Sequence, residues 1–192
     1  MKLKICSIDI ESTGLNEDTC DILEFGAVLD DLSVQKPIEE LPFFHCYVLP
    51  PNGKNYTVEP YAASMHPVIF RRIAERESPY TYVNPMKMGY GFKMWLVNNG
   101  YPVENDKVYI NAAGKNFASF DLQFLKRKTD LLKHVRIRHK ILDPSNLLFN
   151  DLDEVLPGTE ECLRRCGESV NVQHTAIEDA KDVIRMIRCA LM

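Results

Sequence analysis

The chain has 192 residues, 45% hydrophobic and 26% charged, with 23 Lys+Arg against 27 Asp+Glu and a formal net charge of −4. That composition excludes a disordered, collagen-like or coiled-coil chain. The acidic balance argues against nucleic-acid binding through bulk charge, while leaving room for a local basic face.

A chain of this length buries a core without disulfides or structural metals, and a single domain over residues 1–192 is expected. No apolar run approaches the roughly 20 residues that cross a bilayer. Glu11 comes too early for a signal-peptide apolar core. The six cysteines, Cys6, Cys20, Cys46, Cys162, Cys166 and Cys189, form no CxxC pair. They read as small apolar fillers of a reduced, cytoplasmic protein.

In chain order, Leu3 to Ile10 alternates two largely apolar sets, the pattern of a central strand buried on both faces. ILEFGAVLDD (22–31) and FFHCYVLP (43–50) read as a second and third strand, so the opening resembles a meander. Residues 60–77 have helical spacing, with Pro67 suited to the start of a second short helix. Residues 78–91 show no clear period and read as a loop. FKMWLVNNG reads as a helix stopped at Asn99-Gly100, VYINAA as a short strand, 116–128 as a helix and 135–141 as a strand. After a mixed stretch, Thr159-Glu160-Glu161 opens a helix. The last helix begins at Ala176, with Ala180, Val183, Ile184, Ile187 and Leu191 on one stripe. Strands followed by alternating helices and strands predict an α/β fold: a mixed central sheet, its first three strands antiparallel, flanked by helices.

Three places hold residues suited to chemistry. Asp9 and Glu11 lie two apart in a strand and so share a face near its C-terminal end. Two close carboxylates disfavour each other's ionisation unless a cation or proton lies between them. A strand running out into water would also tolerate both. Asp121 has apolar neighbours at helical spacing (Phe117, Ala118, Phe124, Leu125) and, facing the core, would need a partner; in an exposed first turn it would only serve the helix dipole. Thr175 caps the final helix, leaving His174 on the preceding loop and Asp179 in the first turn beside the apolar stripe. A lone loop histidine is often decoration, but one titrating near neutrality is also a proton acceptor. Together, four acids and a histidine suit two divalent ions and a general base, since Mg²⁺ and Mn²⁺ prefer carboxylate oxygen.

These segments resemble the motifs of the DEDDh-type, DnaQ-like 3′–5′ exonucleases, which have an RNase H-like fold. Asp9-Ile-Glu11-Ser-Thr-Gly-Leu15 is similar to that family's first motif, Asn116-Phe-Ala-Ser-Phe-Asp121 to its second and His174-Thr-Ala-Ile-Glu-Asp179 to its third. Their order and separations also fit, so the resemblance covers nearly the whole chain. It implies a hydrolase acting on the 3′ ends of single-stranded DNA or RNA and releasing nucleoside 5′-monophosphates. Asp9, Glu11, Asp121 and Asp179 would hold two Mg²⁺ or Mn²⁺ ions, with His174 as general base. Thr13, Gly14, Leu15, Met65 and Asn116 would meet the substrate, Leu15 wedging the terminal base. Pro67 stands where the family usually has Gly, and Lys115 where it often has His; neither change removes a metal ligand. No membrane association is expected, protein partners are left open, and a monomer or homodimer is expected. Two alternatives stay open: a non-catalytic nucleic-acid or protein-binding module on the same fold, and an oligoribonuclease-like enzyme for very short RNA.

Lys126 to Lys140 carries seven Lys/Arg against one acid, Asp130. This segment reads either as a holder of nucleic-acid backbone or as a charge-protected edge strand. Tyr80, Tyr82, Tyr90, Phe92 and Trp95 read either as base-stacking groups or as core and loop anchors.

Overall fold

The computed structural model describes residues 3–34, 36–53, 55–170 and 175–191. In chain order it contains β1 (Lys4–Ser12), β2 (Ile22–Asp31), a 3-10 turn at Ile38–Glu40, β3 (Phe43–Val48), α1 (Pro60–Met65), α2 (Pro67–Glu75), β4 (Tyr82–Val83) and α3 (Pro85–Asn98). There follow β5 (Val103–Glu104), β6 (Lys107–Ile110), β7 (Ala112–Ala113), α4 (Asp121–Lys128), α5 (Leu131–His134), β8 (Val135–Ile137), α6 (Ser145–Leu148), α7 (Thr159–Arg165) and α8 (Ala176–Ala190).

A five-stranded sheet has the order β4-β3-β2-β1-β7, and a three-stranded sheet the order β5-β6-β8. β1, β2 and β3 are antiparallel neighbours; β7 adds to β1 and β4 to β3 in parallel. The architecture is α/β with a mixed sheet and an antiparallel three-strand opening.

Alternation in β1 and β2 decides what covers each face. Ile5 and Val28 meet Ala180, Val183, Ile184 and Ile187 of α8 on one face. Cys6, Ile8, Ile10, Phe25, Ala27 and Leu29 meet Met88, Phe92 and Leu96 of α3 on the other. Each such aliphatic side chain, fully buried, contributes about 1.5–3 kcal/mol. Asp9 and Glu11 have the parity of Ile5, so they emerge on the α8 face.

Polar contacts fix α8 at both ends. The backbone N–H of Ala176 donates to Glu24 Oε2 at 3.3 Å, and Arg188 binds the buried Asp30 carboxylate with two bonds of 2.7 and 2.8 Å. Twelve helical residues span about 18 Å and six strand residues about 20 Å, so helix and strand match in length between the two anchors.

Several elements differ from the sequence reading. The stretch 78–91 is not all loop: β4 and the first half of α3 lie in it. Asn84 caps α3 by accepting from the Met86 N–H at 2.8 Å, with Pro85 in the first turn. Gly89 hides the expected helical period because α3 crosses α5 there, where a Cβ would lie 2.5 Å from Leu131 Cα. VYINAA is two strands in two sheets, divided at Asn111, whose carbonyl accepts from the Cys6 N–H. The helix expected from 116 starts at Asp121, because Asn116 takes the left-handed conformation (φ 56°). The 135–141 strand is only Val135–Ile137. Phe92 is fully buried with Trp95 stacked on it, and Tyr80 and Tyr82 pack against Tyr47, so these aromatics belong to the core; Tyr90 is exposed. Among the described residues, no helix is long and apolar enough to cross a membrane.

Candidate active site

Three of the predicted acids converge. One oxygen from each of Asp9, Glu11 and Asp179 lies within 4.8 Å of the other two. β1 supplies the first two, opposite Gly26 and Glu24 of β2, and its register shifts between Glu11 and Ser12. Such a bulge at a strand end re-aims side chains. Asp179 arrives on α8, capped by the Thr175 side chain, which accepts from the Glu178 N–H at 3.4 Å. Gly26 makes this approach possible: a Cβ there would lie 2.5 Å from the Ala176 carbonyl carbon.

Asp121 completes the acidic set by another route. β7 pairs with β1 only at Cys6 and Ser7, so the β1 edge beyond it lacks a strand partner. There the Ile10 N–H donates to Asp121 Oδ1 at 3.0 Å. The carboxylate thereby satisfies a buried donor and stands beside Asp9. Asp121 itself is 3% exposed.

Electrostatics mark the cluster as unusual. Burial, then repulsion from Asp121, Asp179, Glu11 and Glu24, pushes the Asp9 carboxyl well above its ordinary range. Burial and the charges of Asp179, Glu24 and Asp121 raise Glu11 to about 9. Burial raises Asp121 to about 7 despite the Ile10 hydrogen bond, and burial with Asp182, Glu24 and Glu178 raises Asp179 to about 7. Among the described residues, no lysine or arginine pairs with any of these four acids. Asp179 Oδ1 is buried and has no hydrogen-bond partner among the described residues. A clustered negative charge with an unfilled carboxylate oxygen, in which Asp9, Glu11 and Asp179 each offer oxygen, fits hard divalent cations.

Asp9 and Asp179 open into a cleft of about 600 Å³, lined also by Lys115, Asn116, Glu160 and Arg164. Asn116 is exposed, and its N–H donates to Asp143 Oδ2 at 2.8 Å. Thr13 is fully buried: its hydroxyl accepts from the Asp21 N–H and its carbonyl from the Glu59 N–H, both at 2.8 Å. Gly14 is buried beneath the Glu59 side chain, whereas Leu15 projects with 75% of its surface exposed. Met65 ends α1, half-buried. His174 lies outside the described residues.

Two residues of this site escaped the sequence reading. Glu24, 1% exposed, faces Glu11 across the ladder, accepts from the first turn of α8 and lies 2.5 Å from His45 Nε2. The available signal was an acid inside the apolar run ILEFGAVL. His66 Nε2 sits 3.4 Å from Glu11 Oε2, directly after the predicted contact Met65.

No protein-family model and no curated protein sequence matches the chain. Solved structures do. Over 98% of its length the chain superposes on cell-death related nuclease 4 (CRN-4) with a TM-score of 0.67 and 12% identity, spanning 63% of that chain. Over 97% it superposes on the zinc-bound E. coli ExoI–ssDNA complex with a TM-score of 0.64 and 13% identity, spanning 40% of that chain. The chain thus shares the fold of these two nucleases, and spans less than two thirds of either neighbour's length.

Proposed function

We propose that this protein is a metal-dependent 3′–5′ exonuclease that hydrolyses single-stranded DNA or RNA to nucleoside 5′-monophosphates. The observation that carries the reading is the convergence of Asp9, Glu11 and Asp179 on one point, with Asp121 alongside and, among the described residues, no lysine or arginine paired with any of the four. Fold alone licenses no activity; the acid cluster on this fold does, and the ssDNA bound by the ExoI neighbour indicates the kind of substrate.

Asp9, Glu11 and Asp179 would hold one divalent ion, and Asp9 with Asp121 a second. Bound there, Mg²⁺ or Mn²⁺ would neutralise the scissile phosphate and lower the pKa of the attacking water. The chain's own residues do the rest. Leu15 offers an exposed apolar surface to the terminal base, with Met65 as the second apolar contact. Asn116 and Lys115, on the cleft wall with Asp9, address the phosphate and sugar. His174, from the segment preceding α8, takes the proton of the attacking water. Thr13 and Gly14 serve from beneath: the buried turn they form, clamped by Asp21 and Glu59, sets the position of Leu15.

The test is product analysis with single-stranded DNA and RNA under Mg²⁺. Nucleoside 5′-monophosphates should accumulate, and EDTA or Asp9→Ala should stop their release. Oligonucleotide products cut internally, or turnover unaffected by Asp9→Ala, would refute the assignment.

A further inference from the structure

Building on the nuclease reading, we propose that the cleft between α4 and the outer edge of β8 is a track for the phosphodiester backbone of a single strand running from the acid site. Three observations converge on it.

The first is charge. Of the seven cations in the segment 126–140, Arg127 pairs with Asp18 and Glu17, and Lys128 reaches the Asp18 carbonyl and the Asp21 carboxylate. The one acid, Asp130, is occupied by the Gly89 N–H and His134. Lys126, Lys133, Arg136, Arg138 and Lys140 remain exposed, with no ion-pair partner among the described residues, in a chain of net charge −4.

The second is shape. Lys126, Arg136 and Arg138 line one cleft of about 270 Å³ whose floor includes Leu122, Ile137 and Ile141. β8 ends its sheet, so charges on it also discourage edge pairing. Edge protection does not account for Lys126, which comes from a helix, or for an apolar floor between the two elements. Cations around an apolar floor suit a nucleotide, with phosphate on the rim and the base face below.

The third is position. Leu122 and Lys126 stand one turn apart on α4, whose first residue is Asp121. At about 1.5 Å per residue, Lys126 lies roughly 7.5 Å along the helix from that acid. On that separation the track begins within a few nucleotides of the acid site. Strands of several nucleotides would therefore bind more tightly than dinucleotides, and in a salt-sensitive manner.

The test measures fluorescence anisotropy of a labelled oligothymidylate of about 20 nucleotides, in EDTA so that nothing is cut, across a salt series. Arg136→Glu with Arg138→Glu should weaken binding by at least about tenfold and reduce the log–log salt slope by roughly 1.4, about 0.7 per lost phosphate contact. Lys4→Glu with Lys36→Glu makes the same charge change toward the other end of β1, away from Glu11, and should leave both quantities near wild type. Equal affinity and slope for the Arg136/Arg138 pair, an equal loss in the Lys4/Lys36 pair, or no binding by the wild type would overturn the proposal. Arg136→Gln with Arg138→Gln, which should show about half the effect, replaces the reversal if that variant misfolds. If the binding difference holds but no strand is ever cut, the exonuclease reading falls and the track stands; if strands are cut and both proteins bind alike, the track alone falls.

Discussion

Replacing Asp179 with Asn should stabilise the metal-free protein while destroying its activity. In the fold, Asp179 and Asp121 titrate near 7 instead of 3.8, and Glu11 near 9 instead of 4.5. For acids raised in this way, stability is fully present below the unfolded pKa and is lost as pH rises through the folded one. Metal-free protein should therefore weaken from about pH 4 to pH 7 through the two aspartates, and on toward pH 9 through Glu11. At about 1.4 kcal/mol per unit, a rise from 3.8 to about 7 corresponds to roughly 4 kcal/mol for one isolated carboxylate. Because the repulsion is shared with its neighbours, removing one charge should recover about 1–3 kcal/mol, or roughly 3–10 °C in Tm for a chain of this size. Asn gives up no hydrogen bond at Oδ1, which has no partner among the described residues. Thermal melts in EDTA across that pH range measure this directly, and added Mg²⁺ should raise the wild-type Tm more than that of the variant. A wild-type Tm that stays flat or rises over the range, or an Asn variant that melts lower at alkaline pH, would refute the electrostatic account.

His174→Ala should lower kcat by about 10²–10⁴ while the Mg²⁺-induced rise in Tm persists; loss of that rise would contradict a base role. Gly26→Ala drives a Cβ into the Ala176 backbone, so α8 must shift: a destabilisation of about 1–3 kcal/mol and a higher Mg²⁺ requirement are expected, read by denaturant melts and metal titration of activity. Glu24→Ala frees the Ala176 N–H and should cost about 1–3 kcal/mol, with Glu24→Gln recovering most of it if the hydrogen bond is what matters.

Legibility in the sequence followed the range of the interaction that decides each feature. β1, β2 and α8 announce themselves by local periodicity, and their faces follow from parity. Asp9 and Glu11 share a face because strand geometry requires it. Their meeting with Asp179 could not be read from spacing alone, since it depends on the absent side chain of Gly26, which lets α8 sit on the sheet. Tertiary contacts also hid the start of α3, where Gly89 breaks the local pattern to accommodate α5. The division at Asn111 depends on which of two sheets each half finds as a neighbour. Glu24 lies inside an apolar strand, and its role follows only from α8 and His45 packing against it.

The central claim is most directly tested by following matched 5′-labelled single strands of DNA and RNA with Mg²⁺, alongside EDTA and Asp9→Ala controls. The account predicts a ladder that shortens one nucleotide at a time from the 3′ end and vanishes in both controls. An intact strand from folded protein with Mg²⁺ or Mn²⁺, or a ladder that survives Asp9→Ala, would contradict it.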